Sequence, residues 1–367
     1  MHRPLGPFVL FALALGCGTE GPFEAPPIPA QTDATAEAEA NGARRIGVLT
    51  RNLYVGADVD AVIAALVSPS PDDDLAALTI AIQTLQRTDF PTRARAIAEE
   101  IARAHPHAVG LQEVSEIRID LTPLQIPVTL DLDFLPVLQQ ALAARGLHYF
   151  VGATVRNIEA APLPGVSLVD YDALLVDADR VQITGHTSHT YSANIGQVAP
   201  GVVLKRGWVT VTGTVEGRSY LFANTHLESG NAAGLDQLRA AQAGELATAL
   251  AGAIPTVLMG DLNDHPDSPM YQVLAGAGLT DVWQAMRPGA AGFTCCHAAD
   301  LSNPVADLTQ RIDYVFAGGL PAATTQVLGS IEILGAQPGD RVEGPAGYIW
   351  PSDHAGLAAS LLLPPVP

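Results

Sequence analysis

The chain is poor in aromatic residues, in positive charge and in cysteine. Phe, Trp and Tyr make up 5% of 367 residues, and no Trp/Phe cluster marks a hairpin built to enter a membrane surface. Lys and Arg number 19 against 38 Asp and Glu, a formal charge of -19. A surface this acidic repels phosphate backbones, so nucleic acid is a permitted partner but not one that charge favours. Extended tracking along DNA is disfavoured further, because no run of Lys or Arg occurs. A local cationic patch or a bound divalent metal can offset the repulsion within one cleft. No internal repeat is visible, and no membrane-spanning run follows the first seventeen residues.

There are three cysteines. Cys17 ends the stretch "MHRPLGPFVLFALALGC", which has one Arg, a short apolar run and then small residues, the pattern of an export signal. Its "ALGC" end resembles a bacterial lipobox, with Ala14 where Leu is usual, so Cys17 is the expected lipidation site. Cleavage as an ordinary signal peptide is the alternative. The remaining pair, Cys295 and Cys296, is adjacent. A bond between neighbours is strained, reduced thiols are the simpler state, and His297 alone stands beside them as a further soft ligand.

What is present is enough apolar material, 48% of residues, for a sizeable core. The 34 Gly and 28 Pro indicate many loops between short elements. We expect a signal at 1–17, a Pro/Ala/Glu/Thr-rich tether at 18–44 and one catalytic domain over 45–367. Within it, "RIGVLTRNL" and "HAVGLQEV" read as strands ending at Asn52 and Glu113, with helical segments between them, "PTRARAIAEEIARA" among these. "RGWVTVTGTVEGRSYLFANTHLE" reads as a hairpin turning at Glu216-Gly217-Arg218, and "LDQLRAAQAGELATALAG" as a helix. "PTVLMGDLND" reads as a strand running into a turn, where Gly260 lets the chain bend and a period of two sends Asp261 and Asn263 to one face.

Chemically capable residues gather at these strand ends: Asn52, Glu113, His226, Asp261 with Asn263, Asp313, and Asp353-His354 before the last strand. Glu113, Asp353 and the Asn52 amide are hard oxygen donors suited to Mg²⁺, with Mn²⁺ or Ca²⁺ as alternatives. Two His and two further Asp remain for proton transfer, a set that fits metal-assisted attack of water on a phosphoester. Each also has a local structural reading. Asn52 can cap a helix, His226 can be a hydrogen-bonded core histidine, Asp313 can pair with Arg311, and Asp353 can close a turn.

Order and context separate these readings. "TRNL", "LQEV", "NTHLE", "GDLND", "RIDYVF" and "SDH" occur in sequence from about Arg45 to Leu363, and the chain thereby resembles the endonuclease/exonuclease/phosphatase superfamily. The resemblance implies a four-layer α/β sandwich, two mixed sheets face to face with helices outside. It implies metal-site roles for Asn52, Glu113 and Asp353. Asp261 and Asn263 would position the attacking water and hold the phosphate, and His226 would bind phosphate or protonate the leaving oxygen. Asp313 would orient the imidazole of His354. The base is Asp261 or His354; the neighbouring Asp313 favours His354.

Two features depart from the family pattern. "VDYDALLV" places Asp170 and Asp172 around Tyr171, whereas family members often carry a Gly or other small residue after this Tyr, and either Asp can orient His226, contact substrate or repel an anion. The segments "YVGADVDAVIAALVSPSPDDD", "GHTSHTYSANIG" and "FTCCHAADLSNP" read as rim loops that shape substrate choice. Tyr171, Asp172 and Arg206 of "LKRGW" are the substrate-contact candidates, although Arg206 also reads as an edge-strand surface residue. The leading expectation is an exported, divalent-metal-dependent phosphoesterase, held at the membrane by lipid rather than by a span. A secreted nuclease, a sphingomyelinase-type phospholipase and a non-catalytic binding protein on the same scaffold are the alternatives.

Overall fold

The computed structural model describes residues 43–67, 71–252, 254–319 and 328–363. The signal, Cys17 and the tether up to residue 42 lie outside the described residues. Ala43 is already buried and Arg44 pairs with Leu363, so the folded domain starts just inside the expected end of the tether.

Two mixed sheets form the frame. The first has nine strands. Its centre runs Leu328–Leu334, Gly356–Leu363, Arg44–Asn52, Ala108–Asp120, Val166–Asp177 and Tyr149–Leu163, with short strands at the far edge. The second has six: Thr280–Asp281, Asp313–Gly318, Thr256–Asp261, Arg218–His226, Gly207–Val215 and Gln182–Thr190. Arg44–Asn52 runs parallel to Ala108–Asp120, and Arg218–His226 parallel to Thr256–Asp261. The C-terminal ends of Arg44–Asn52, Arg218–His226 and Thr256–Asp261, the Gln112-Glu113 step inside Ala108–Asp120 and the start of the antiparallel Asp313–Gly318 therefore lie on one side of the frame.

The central strands are apolar on both faces, and the period of two sorts them into separate cores. Val48, Leu174, Phe222, Val257, Met259 and Val315 fill the layer between the sheets. Their neighbours Leu49, Leu175 and Val109 point outward onto Phe90, Ile97, Ile101, Phe134 and Leu138 of the helices Phe90–Ala104 and Phe134–Ala143. On the opposite side Ala223, Leu258 and Phe316 meet Ala243, Leu246 and Leu250 of the helix Leu235–Leu250 and Met270 and Leu274 of Pro269–Gly276. Helix, sheet, sheet, helix is the four-layer sandwich.

The structure corrects four local expectations. Ala108–Asp120 does not end at Glu113 but runs on, with a bulge between Leu111 and Val114 and Glu113 itself at φ 56. A bulge re-aims a side chain without ending the strand. The first half of "GHTSHTYSANIG" is edge strand, not loop, because its polar, partly β-branched residues pair along Gly207–Val215 on an exposed sheet margin. The hairpin turn is two residues, Glu216-Gly217, both at positive φ, and Arg218 already belongs to the strand. Gly260 does not bend the chain. It lies inside the strand, where a Cβ would come within 2.2 Å of the Thr225 carbonyl oxygen, so glycine is required for close approach.

Two buried guanidinium groups tie the site-bearing loops to the helix Phe90–Ala104. Arg51 is fully buried and pairs with Glu100, Nε to Oε2 at 3.1 Å and Nη2 to Oε1 at 3.2 Å, while Nη1 donates to the His354 carbonyl. Arg93 has no carboxylate partner of this kind and instead donates to the carbonyls of Thr88, Leu53, Tyr54 and Pro351. Burial lowers its pKa to about 10. Truncating one member of the Arg51–Glu100 pair strands a buried charge, which costs about 3–5 kcal/mol. Urea denaturation of Glu100→Ala is expected to show a loss of that order. The double variant Arg51→Met/Glu100→Leu should lose clearly less, because it strands no charge.

Candidate active site

A cleft of about 290 Å³ opens where the two sheets end, lined among others by Glu113, Asp170, Arg206, His226, Asp261, Asn263, Asp353 and His354. The Asn52 amide joins the two sheets across its floor. Nδ2 donates to Glu113 Oε1 and to Asp261 Oδ2, both at 3.0 Å, and Oδ1 accepts the Tyr54 N–H at 2.8 Å. Asn52 thus acts as a clamp between carboxylates. Glu113 is fixed on its other side by the Val55 N–H at 2.8 Å, and the bulge is what turns it into the cleft.

Asp261 ends its strand, as the sequence suggested. Asn263 reaches the same side by another route: the strand has stopped, and Asn263 sits at φ 52 in a turn closed by its N–H to Asp261 Oδ1, 3.0 Å. Strand periodicity is therefore not what brings the pair together. The Asn263 amide nitrogen lies 2.9 Å from His226 Nε2 and donates to the Leu227 carbonyl at 3.1 Å.

Asp313 does not pair with Arg311, which is taken by Asp281 at 2.8 Å. It lies instead 2.9 Å from His354 Nδ1. His354 Nε2 then faces Asp261 Oδ2 at 3.8 Å. Burial opposes protonation of this imidazole, but Asp313, Asp353 and Asp261 outweigh it and hold its pKa well above the usual histidine range. Burial, reinforced by the Asp313 charge and opposed by His354, pushes Asp261 up to about 7. The Ser352 hydroxyl steadies the loop, donating to the Asn52 carbonyl at 2.8 Å and accepting the His354 N–H at 3.2 Å.

His226 is the opposite case. Burial, then the charges of Arg206 and His354, hold its pKa well below the usual range, so the ring is neutral. With Nε2 accepting from Asn263, the proton resides on Nδ1, which faces Asp172 Oδ1 at 3.9 Å. Asp172 is the carboxyl beside His226 that the sequence left open. Burial raises its pKa well above the usual carboxylate range, and burial likewise pushes Asp170 up to about 7. Asp170 accepts the Ser115 hydroxyl at 2.9 Å. Tyr171, one residue out of phase, faces the other way, packing with the outer core under the Arg156 guanidinium; the structure does not bring it to the cleft. Arg206 is not an edge-strand surface residue. It is 5% exposed, 3.3 Å from both Glu228 Oε1 and Ser229 Oγ, and its Nη1 has no partner.

The donor set fits a divalent cation. Glu113 and Asp353 are hard oxygen ligands lining one cleft, and both oxygens of Glu113 are oriented by N–H donors. Burial pushes Asp353 up to about 6, with the Glu113 charge contributing, a like-charge conflict that a cation relieves. Glu113 and Asp353 would hold the ion, with Asn52 orienting Glu113. Sequence reasoning passed over Ser352 and Asp58, and it named His297 only as a soft ligand beside the cysteines, not as a residue of this cleft. Ser352 stood inside the quoted "SDH", whereas Asp58 and His297 lay in segments read only as rim, and both line the cleft.

With this geometry in place, the comparisons with known proteins are specific. Residues 82–354 match the Endonuclease/Exonuclease/phosphatase family, and the chain belongs to it. It is accordingly a metal-dependent hydrolase of phosphoric esters. An endonuclease/exonuclease/phosphatase from Beutenbergia cavernae superposes with a TM-score of 0.57 at 23% identity, over 88% of this chain and 73% of that one. A family protein from Bacteroides thetaiotaomicron gives 0.56 at 17%, over 88% and 96%. A mannosyl-6-phosphatase from the same organism gives 0.54 at 16%, over 87% and 100%. These likenesses carry the fold. No curated protein sequence matches this chain.

The two Asp–His pairs differ in charge, and substitution should separate them. Burial disfavours charge on Asp172, so Asp172→Asn is expected to be close to neutral for stability and to lower kcat/KM by less than about tenfold. Asp313→Asn removes the charge that stabilises imidazolium and should lower kcat/KM by about 10²-fold or more. Steady-state kinetics on one phosphodiester substrate, with thermal melts of both variants, checks the contrast.

Proposed function

We propose that the chain is an exported, Mg²⁺-dependent phosphoesterase acting on small phosphodiesters or phosphomonoesters. The observation that carries this is the convergence of Glu113, Asp261, His226 and the Asp313–His354 pair from both sheets on one cleft. Glu113 and Asp353 would hold a divalent cation, which when bound would supply Lewis-acid polarisation of the phosphoryl group and offset the charge that develops on it. Asp261 accepts the proton of the attacking water. Asp313, Asp353 and Asp261 favour the imidazolium form of His354, which has no free lone pair, so we assign His354 to stabilising the phosphoryl oxygens rather than to the base role that sequence favoured. Neutral His226 and Asn263 position the ester, and the unpaired Nη1 of Arg206 suits a phosphate oxygen.

The cleft argues for a small substrate. Arg206 is the one Lys or Arg among its described lining residues, against Asp58, Glu113, Asp170, Asp261 and Asp353. A polyanionic strand meets net repulsion there, while a single phosphoester with a neutral or cationic leaving group does not. The mannosyl-6-phosphatase among the structural neighbours acts on a substrate of this size by its name, which supports the same reading.

Two experiments test the proposal. Chelation with EDTA should abolish hydrolysis, and Mg²⁺ should restore it. On a panel of phosphomonoesters, small phosphodiesters, DNA, RNA and sphingomyelin, the small esters should turn over fastest. No turnover of any of them with Mg²⁺, Mn²⁺ or Ca²⁺ would refute it. Lipid attachment through Cys17 is tested separately: Cys17→Ser should leave the membrane fraction, and equal retention refutes the anchor.

A further inference from the structure

The Cys295-Cys296 pair has no part in the hydrolytic reading, yet it borders its central histidine. Cys295 is buried, and its carbonyl accepts the N–H groups of Thr309 at 2.7 Å and Gln310 at 2.9 Å, which fixes the pair in place. Its backbone is bridged to His354. The loop is braced again by Ala355 N–H to the Thr294 carbonyl and His297 N–H to the Asp353 carbonyl, each 2.7 Å. Cys296 is half-buried, with Sγ 4.0 Å from His354 Nε2. One ligand atom each from Cys295, Cys296 and His354 lies within 4.8 Å of the other two.

His297, the soft ligand that sequence placed beside the pair, is engaged elsewhere. Its ring stacks on Trp350 with centroids 4.1 Å apart, and Nδ1 lies 3.2 Å from the Asn303 amide. The donor set is therefore two sulfurs and the Nε2 of His354.

We propose that the reduced Cys295-Cys296 pair and His354 form a binding site for a soft d¹⁰ cation such as Zn²⁺ or Cd²⁺, distinct from the hard-oxygen site of Glu113 and Asp353. In tetrahedral zinc coordination, two thiolate sulfurs lie about 3.8 Å apart and sulfur and imidazole nitrogen about 3.6 Å apart. The structure joins the two sulfurs, so reduction must precede binding and let them turn apart, whereas Cys296 Sγ at 4.0 Å from Nε2 already lies near its required place. Thiolates and imidazole select soft or borderline cations, whereas Mg²⁺ and Ca²⁺ prefer oxygen, so the two sites divide the metals between them. The site exists only when the pair is reduced. Joined as a disulfide, the sulfurs are poor ligands. A thiol or phosphine reductant supplies two electrons, and two protons complete the thiols. The cation then displaces three protons to solvent, one from each thiol and the Nε2 proton of the His354 imidazolium, and takes the lone pairs so freed.

Occupancy has a consequence that rests on the phosphoesterase reading. Nε2 is the atom that faces Asp261, so a cation there removes His354 from the phosphoryl site. The reduced enzyme is inhibited by soft metals, and the disulfide form is not.

Cadmium is the probe, with the Cys17→Ser chain as background so that only the pair reports. After phosphine reduction, Cd²⁺ should produce the ultraviolet thiolate-to-metal band, saturating at one ion per chain. The disulfide form should show no band. Cys296→Ser and, independently, Cys295→Ala should lose the tight phase, with thermal melts confirming the fold. His354→Asn should weaken binding by at least about tenfold, the scale on which even outer-sphere changes act. No band in the reduced chain, or unchanged affinity in His354→Asn, overturns the site. Binding that depends on His354 but leaves Mg²⁺-supported hydrolysis untouched supports the site and overturns the role given to His354. Absence of hydrolysis altogether leaves the band, the stoichiometry and the His354 dependence as decisive readouts.

Discussion

Like charge confined to a small cleft is the constraint on which the rest of this structure depends. Glu113, Asp170, Asp261 and Asp353 share one opening, and Asp172 and Asp313 lie just behind it, fully buried. Such a set cannot all be ionised in a low-dielectric pocket. The protein resolves the conflict in three ways. Burial pushes both Asp172 and Asp170 toward their neutral forms. Asp313 is matched by the imidazolium of His354. Glu113 and Asp353 are left for an external cation, and the family to which the chain belongs works with divalent metals.

Holding repelling groups together requires a stiff frame. The frame here is backbone placement by two sheets, reinforced by buried cations that never touch the cleft. Arg51 grips Glu100 and the His354 carbonyl, while Arg93 gathers carbonyls from both the 53–54 and the 351 segments. The Asn52 amide then joins the sheets at the cleft itself. Removing any of these leaves the chemistry in sequence but not in register.

Much of this was legible from the chain alone. Strand ends carry one polar residue after an apolar run, so Asn52, His226 and Asp261 announced themselves, and ordered motifs supplied the fold. Three things were not legible, for physical reasons. The bulge at Glu113 and the left-handed turn at Asn263 break periodicity, so the right residues were chosen on a local geometry that does not hold. The relation of Asp172 to His226 depends on a contact between sheets, which spacing cannot encode. Protonation was also hidden: Asp353 and Asp261 stand around His354 as well as Asp313, and all three push its pKa up. Burial also turned Arg206 from a surface residue into a cleft wall.

The claim that follows most directly from crowded carboxylates is that a divalent cation binds between Glu113 and Asp353 and stabilises the fold. Thermal melts with and without Mg²⁺, on the parent chain and on Glu113→Gln/Asp353→Asn, test it without reference to any substrate. Binding to the native state alone raises Tm with ligand concentration. The account predicts a saturable Mg²⁺-dependent rise in the parent, no rise in the double variant, and a metal-free double variant more stable than the metal-free parent because the repulsion is gone. Equal Mg²⁺ responses in both chains, or a metal-free double variant that is less stable, would contradict it.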